Sequence, residues 1–352
     1  MLKIDNLRKE NILMTFVHES SFVKRDIEIL KKNYFVYKFC FNSKSKVFLP
    51  IIFFKQFFLL LFLTYKLKAL VIQSAGYHSF LPTVFGIIFK TPVIIIAIGN
   101  ESIKLPEINY GIQRKKYLSW FVNFSLKKAR LIVPDHKRLE YSEYDHTPVK
   151  FKNQGIRSFN KKIKTNIIEM VNGYDSKKWK ITSLNRIDYT FLTVSDTIDK
   201  TRYFIKGIDL IESIAVLNPY CQFTIVGKLE LTKVFPKNIK FINRVNQNEL
   251  VSIYNSNKYY LQLSMSEGFP NALCEAMLCG CIPIGSNVAG IPDIIGEKGY
   301  ILKEKNTFIL NNIISNLSNN TFSPNEVRTQ ISNNYPLERR ENEFLTHVNK
   351  II

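Results

Sequence analysis

Two carboxylates, Glu267 and Glu275, stand eight residues apart in the segment SEGFPNALCEAM, on either side of a turn that holds Gly268, Pro270 and Asn271. Leu261–Leu263 before it reads as the end of a strand, and Ala272–Leu278 after it as a helix stopped by Gly280. Pro suits the first helical turn, where its missing N–H costs nothing, and Gly suits the position just past the last turn. Between the carboxylates the helix start offers free N–H groups and the positive end of its dipole, a seat for phosphate. Carboxylates accept hydrogen bonds from hydroxyls. The spacing therefore fits a ligand with hydroxyls at both ends and phosphates between, as in a nucleotide sugar.

The elements that must hold this turn alternate along the chain. In the first half, Asn11–Val17, Tyr34–Phe41, Ala69–Gln73, Val93–Ala97, Leu131–Pro134 and Ile167–Val171 read as strands between helix-like stretches. In the second, Tyr189–Val194, Gln222–Val226, Ile239–Asn243, Tyr259–Leu263 and Cys281–Gly285 alternate with the helices Ile208–Leu217 and Gln247–Asn255, and Ser332–Ile352 reads as one charged amphipathic helix. Alternation of this kind predicts an α/β fold with parallel sheets. A chain of 352 residues exceeds what one core usually holds, so two domains are expected.

Charge is unevenly placed. Of the net +20, the first 170 residues carry 29 Lys and Arg against 12 Asp and Glu, and the remainder nearly balances. Such a field favours an anionic partner for the first half. No helix-turn-helix, zinc-finger or RNA-recognition signature accompanies it, so nucleic acid is not the expected partner; an anionic membrane surface is. The run VFLPIIFFKQFFLLLFL (Val47–Leu63) carries Lys55 and Gln56 at its centre. A central Lys is costly in hydrocarbon, and about 20 clean apolar residues are needed to span it. The run reads instead as a buried or membrane-grazing helix. Five cysteines without a framework suit a reducing cytoplasm, no metal-ligand pattern completes around Cys274, Cys279 and Cys281, and the N-terminus lacks the apolar run of a secretory signal.

These residues resemble the retaining glycosyltransferases of family 4, whose GT-B fold sets two Rossmann-like doubly wound domains across a cleft. The Glu, seven residues, Glu signature lies in EGFPNALCEAM, and GCIPIGSNVAGIPDIIG, VNGYDSKKW and FIKGIDLIESIAVL resemble its neighbours. The match is specific over 167–300. In the first half SAGYHSFLP and PEINYG look like a subgroup found in bacterial surface-polysaccharide synthesis. The resemblance implies domains at 1–172 for the acceptor and 173–335 for the nucleotide sugar, with 336–352 crossing back to the first. It implies a UDP- or GDP-linked sugar as donor, no metal or other cofactor, and a glycan or polyprenyl-linked acceptor at the cytoplasmic face of a membrane. Glu275 would take the ribose hydroxyls, Glu267 the donor sugar and Lys206 the diphosphate, over a floor of Gly268, Phe269, Pro270 and Asn271. Arg244 falls where the family usually places the base pocket.

One departure stands out. Many members pair the Lys with an Arg soon after the first strand of the second domain; here that strand leads into SDTIDKTRYFIKG, which offers Arg202 or Lys200 instead. On the acceptor side the candidates are His18, His78 and Glu101, each following a strand; an exposed structural His and a helix-start carboxylate are the plainer alternatives. Competing functions are a catalytically silent GT-B partner subunit and a nucleotide-sugar 2-epimerase.

Overall fold

The computed structural model describes residues 9–42, 46–319 and 322–352. Among them the chain forms β1 (Glu10–Phe16), α1 (Ser21–Asn33), β2 (Tyr34–Cys40), α2 (Leu49–Leu63), β3 (Leu67–Gln73), α3 (Tyr77–Ile88), β4 (Val93–Ala97), α4 (Lys116–Lys128) and β5 (Leu131–Pro134). A short hairpin, β6 (Ser142–Glu143) and β7 (Asn153–Gln154), precedes α5 (Ile156–Phe159) and β8 (Asn166–Ile167). The second half runs β9 (Thr190–Ile198), α6 (Lys200–Ile205), α7 (Ile208–Leu217), β10 (Gln222–Leu229), β11 (Ile239–Ile242), α8 (Gln247–Ser256), β12 (Tyr259–Gln262), α9 (Asn271–Leu278), β13 (Ile282–Ser286), α10 (Ile291–Ile295), β14 (Tyr300–Leu302), α11 (Thr307–Ser315), α12 (Pro324–Asn334) and α13 (Leu337–Asn349).

Two parallel sheets result, ordered β2-β1-β3-β4-β5-β8 and β11-β10-β9-β12-β13-β14. The order reverses beside β1 in the first and beside β9 in the second. Open parallel sheets bind ligands outside the carboxyl ends of the strands at such reversals. The strand interiors are near-continuous apolar runs, such as Val93–Ala97 and Leu131–Pro134, because both faces of each sheet are covered. On the first sheet, α1 and α13 cover one face through Val23, Ile27, Leu30, Phe344 and Val348, while α2, α3 and α4 cover the other through Leu60, Phe85, Val122 and Leu126.

The structure departs from the sequence-based boundaries in several places; β10, expected to end at Val226, runs on to Leu229. The terminal helix is two helices: Pro336 cannot continue α12, and its ring disfavours a helical Tyr335. The strand expected at Ile167–Val171 shrinks to Asn166–Ile167, and β9 runs four residues past Val194, to Ile198. Cys281–Gly285 is not the last strand, because β14 adds at the edge beside β13.

The break at Pro336 sends α13 back to the first sheet, where Arg340 is fully enclosed. Its Nε and Nη2 donate to both Asp26 carboxylate oxygens at 2.8 and 2.7 Å, and Nη1 donates to the carbonyls of Met170 and Val171 at 3.1 and 3.2 Å. Beside it, Arg25 donates to Asn172 Oδ1 and the Gly173 carbonyl, both at 2.7 Å. The crossing between the sheets at 170–173 is thus held by two arginines.

Removing one partner of a buried pair leaves the other charge uncompensated, at roughly 3–5 kcal/mol. Arg340→Leu should lower the melting temperature sharply, and the double variant Asp26→Leu/Arg340→Leu should recover most of the loss. Thermal unfolding of the four proteins in that cycle checks this; a double variant no more stable than Arg340→Leu alone would contradict it.

Candidate functional site

Lys206 owes its position to the glycine after it. It ends α6, and Gly207 begins the next turn with φ +68. A Cβ on Gly207 would lie 2.2 Å from the Leu263 carbonyl oxygen, so only glycine lets this turn press against the end of β12. Met265 N–H then donates to the Ile205 carbonyl at 2.8 Å. From there Lys206 Nζ donates to Glu267 Oε1 at 2.5 Å. Ser264 Oγ and Gln262 Nε2 donate to the same oxygen at 2.8 and 3.1 Å. Three donors on Oε1 orient the carboxylate.

In the loop that follows, a residue larger than Gly268 would have to push the Asp135 carboxyl aside. A Cβ there would sit 2.2 Å from Asp135 Oδ1, which belongs to the first sheet. Phe269 is buried against Tyr174 and Tyr335. Pro270 precedes α9 in an extended conformation, one residue earlier than a first-turn proline, and Asn271 opens the helix, its side chain accepting from Tyr174 Oη at 2.9 Å. Lys206, Glu267, Gly268–Ala272 and Asp196 line a cavity of about 380 Å³ whose other wall is Gln73, Ile98, Asp135 and Arg340, all from the first sheet or the helix packed on it. A cation, an ion-paired carboxylate and a helix start that lines the cavity thus share one cleft, an arrangement suited to binding phosphate next to hydroxyls.

Glu275 lies one turn further along α9, outside the lining of that cavity. Its Oε2 accepts from Tyr254 Oη at 3.3 Å. Burial pushes its carboxyl up to about 7, against the pull of Tyr254, Lys178 and Arg25. The two glutamates therefore differ in their partners: both are half-buried, but Glu267 is held by a lysine in the cleft, while Glu275 meets one tyrosine.

The remaining sequence candidates scatter. Arg202 pairs with Asp199, Nη1 to Oδ2 at 2.5 Å, within the same helix start; Lys200, its alternative, begins that helix. Arg244 donates to Asp196 Oδ2 and Thr197 Oγ1, both at 2.8 Å, at the rim of the cleft. His18 is exposed after β1. His78 is enclosed at the start of α3, with Nε2 3.0 Å from the Gln73 carbonyl oxygen, and burial lowers its pKa. Glu101 is fully buried; it accepts from Ile98 N–H at 3.1 Å and Ser74 Oγ at 3.2 Å, and burial raises its pKa. Both groups tie loops at the carboxyl ends of β3 and β4. Among the described residues no cluster of His, Cys, Asp and Glu could hold a metal ion.

Asp135 escaped the sequence reading. It stands just past the end of β5, lines the cavity, and its buried Oδ1 has no hydrogen-bond partner among the described residues. Burial pushes its carboxyl up to about 8, against the pull of Arg340 and the Phe269 backbone. Next to it, His136 Nε2 lies 3.1 Å from Asp293 Oδ2 across the cleft. The available signal was positional: Asp135 follows a buried strand of a parallel sheet directly, where lining residues sit.

A carboxyl whose folded pKa lies above its unfolded value stabilises the fold below the unfolded pKa and loses that contribution as pH rises through the folded one. For Asp135 the window runs from 3.8 to about 8, with a slope of about 1.4 kcal/mol per pH unit. Asp135→Asn should therefore make the fall in stability between pH 6 and pH 8 shallower by about 2 kcal/mol. Denaturant unfolding at both pH values reads this, and an unchanged slope would contradict it.

Comparison with known proteins agrees with this geometry. Residues 180–336 match the family model "Glycosyl transferases group 1". A segment is 36% identical over 56 residues to the serotype-specific mannosyltransferase WbdA of Escherichia coli, covering 16% of this chain and 7% of that protein; the chain thus spans only a small part of that relative's length. Over 97% of this chain and 99% of theirs, the fold is similar to sucrose-phosphate synthase from Thermosynechococcus elongatus (TM-score 0.73, 13% identity) and to Anabaena HepE, solved in complex with UDP-glucose (TM-score 0.71, 12% identity). The chain has the GT-B fold, and its residues 180–336 are related to the glycosyl transferases of group 1.

Proposed function

We propose that the protein transfers a sugar, with retention of anomeric configuration, from a nucleotide diphosphate sugar to a glycan or lipid-linked glycan in the synthesis of a cell-surface polysaccharide. Residues 173–335 bind the donor, 1–172 face the acceptor, and 336–352 cross back. The observation that carries this reading is the contact of Lys206 with Glu267 in the cleft, beside the open start of α9. Positive charge preset where the leaving diphosphate gathers negative charge favours the transition state over the ground state. Lys206 supplies that charge with the N–H groups of α9, and no metal is required. Glu267 is fixed through one oxygen and offers the other to the hydroxyls of the transferred sugar. Half-buried Glu275 takes the ribose hydroxyls. The basic first domain supports an acceptor carrying phosphate at the inner face of a cytoplasmic membrane.

A panel of UDP-, GDP- and ADP-sugars, read by thermal shift and slow donor hydrolysis, should give one responding base. Against that donor, Glu275→Ala should lose at least tenfold in affinity, and Lys206→Ala should cost about 100-fold or more in turnover with a smaller change in binding. Chelation with EDTA should leave both signals in place. Unchanged binding in Glu275→Ala would overturn the site assignment. Because desolvation raises the Glu275 carboxyl to about 7, donor affinity should rise as pH climbs through 7, where the carboxylate form accepts both ribose hydroxyls; Glu275→Gln should remove that dependence.

A further inference from the structure

α2 is apolar all round except for Lys55 and Gln56, yet of its fifteen residues only Gln56, Leu60 and Leu63 are buried. Phe54, Phe58 and Phe62 are 65%, 51% and 68% exposed, and Ile51 and Leu61 lie open beside them. The apolar surface does not stop at this helix. Phe57 meets Phe85 of α3 edge-to-face, and Phe80 of α3 packs on Trp120, Phe121 and Phe124 of α4. At the start of α2 and α3, a groove of about 550 Å³ is lined by Leu49, Pro50, Phe53, Phe54, Phe80 and Phe121, with no polar residue among its neighbours. An apolar face that spans three helices is far larger than the scattered exposed apolar residues of an ordinary soluble surface.

The rim of this face is aromatic and cationic. At one end stand Trp120, 56% exposed, and Tyr117 beside Arg114, Lys115 and Lys116; at the other, Tyr65 leads into Lys66 and Phe89 into Lys90. Beyond the end of α4, Lys127, Arg130, Lys162, Lys164 and Lys350 line a further groove. No Asp or Glu occurs between Glu28 and Glu101, which spans α2 and α3, or between Glu107 and Asp135, which spans α4. Trp and Tyr favour the headgroup level of a bilayer, and Lys and Arg favour its anionic lipids.

We propose that the α2–α3–α4 face docks on an anionic bilayer, with α2 lying in the plane of the interface. The inference deepens the membrane-side reading given above and does not depend on which donor is used. With the turn Thr64–Lys66 the helix is long and apolar enough to cross a membrane by length and composition alone, but Lys55 at its middle is costly in hydrocarbon. Gln56 also pins the helix to the fold, donating to the His78 carbonyl from a fully enclosed position at 2.9 Å, so crossing would strip a bond that docking keeps. Charge complementarity selects the occupant: a second copy would bring the same cations against themselves, whereas acidic headgroups neutralise them. In a parallel sheet the helices begin at the carboxyl ends of the strands, so the groove between the starts of α2 and α3 lies on the cleft side. Docking in this pose holds the cleft close to the headgroups, where a lipid-linked acceptor presents its sugar.

The chain carries two tryptophans, and Trp179 is buried in the second domain, so the exposed Trp120 reports the face alone. With the full-length protein and vesicles of phosphatidylcholine plus phosphatidylglycerol, the emission should shift blue and be quenched by lipids brominated along their chains. Trp120→Phe should remove the response. Pure phosphatidylcholine or high salt should weaken binding at least tenfold. The double variant Phe54→Glu/Phe58→Glu should abolish binding while its thermal shift with donor stays unchanged, and a carbonate wash should release the wild-type protein from membranes. Absence of quenching would overturn the proposal, as would equal binding to neutral vesicles, retention after carbonate, or a vesicle-independent dimer that the double variant dissolves. Loss of donor response with vesicle binding intact would count against the donor site and leave the docking face standing.

Discussion

The cleft's first-domain side is built on a buried charge pair. Asp26 and Arg340 meet through two hydrogen bonds with both side chains enclosed. One residue comes from the first helix and the other from the last. The same guanidinium holds the carbonyls of Met170 and Val171, where the chain leaves the first sheet for the second. Buried pairs contribute little net stability against an apolar alternative, but they are unforgiving of error in geometry. That property suits a crossing point. It fixes α1, α13 and the 170–173 strap relative to one another, and Asn172 passes the register on by reaching the Phe269 carbonyl, while Tyr174 reaches Asn271.

From that crossing the site assembles through close approaches. Gly207 lets Lys206 arrive at the end of β12, and Gly268 lets the second domain's loop meet Asp135 of the first. Each approach places unlike charges or unsatisfied groups across a narrow gap: Lys206 with Glu267, and the unpartnered Oδ1 of Asp135 with the cavity itself. Preset dipoles and charges of this kind need no reorganisation when charge develops. The two glutamates of one short segment end in different surroundings because a strand-end loop and a helix interior differ in access to the cleft. Glu267 keeps a cation beside it, while desolvation raises the carboxyl of Glu275 to about 7.

Much of this was legible in the sequence, and for physical reasons. Apolar runs such as VIIIA and LIVP, between helical stretches, can only be strands buried on both faces, so the α/β class followed from them. The turn around Gly268 and Pro270 was visible because glycine and proline restrict local backbone directly. Asp135, Arg340 and Asp26 were not legible. Their importance lies in contacts between residues hundreds of positions apart, or in a single orphaned oxygen, and nothing local distinguishes them from surface charges. Arg202 illustrates the converse: its spacing from Lys206 suggested a shared task, but the nearer Asp199 takes its guanidinium. The length and composition of α2 were plain from sequence; that most of it remains outside the core was not, since hydropathy does not reveal what covers a helix.

The central claim is that Lys206, Glu267 and the start of α9 form a seat for the diphosphate of a sugar donor. A crystal structure with the responding nucleotide sugar tests it most directly. The account predicts the diphosphate within hydrogen-bond distance of Lys206 Nζ and of the first α9 amides, with the sugar beside Glu267. Density for the diphosphate elsewhere, such as the cationic groove formed by Lys127, Arg130 and Lys164, with the cleft empty, would contradict it.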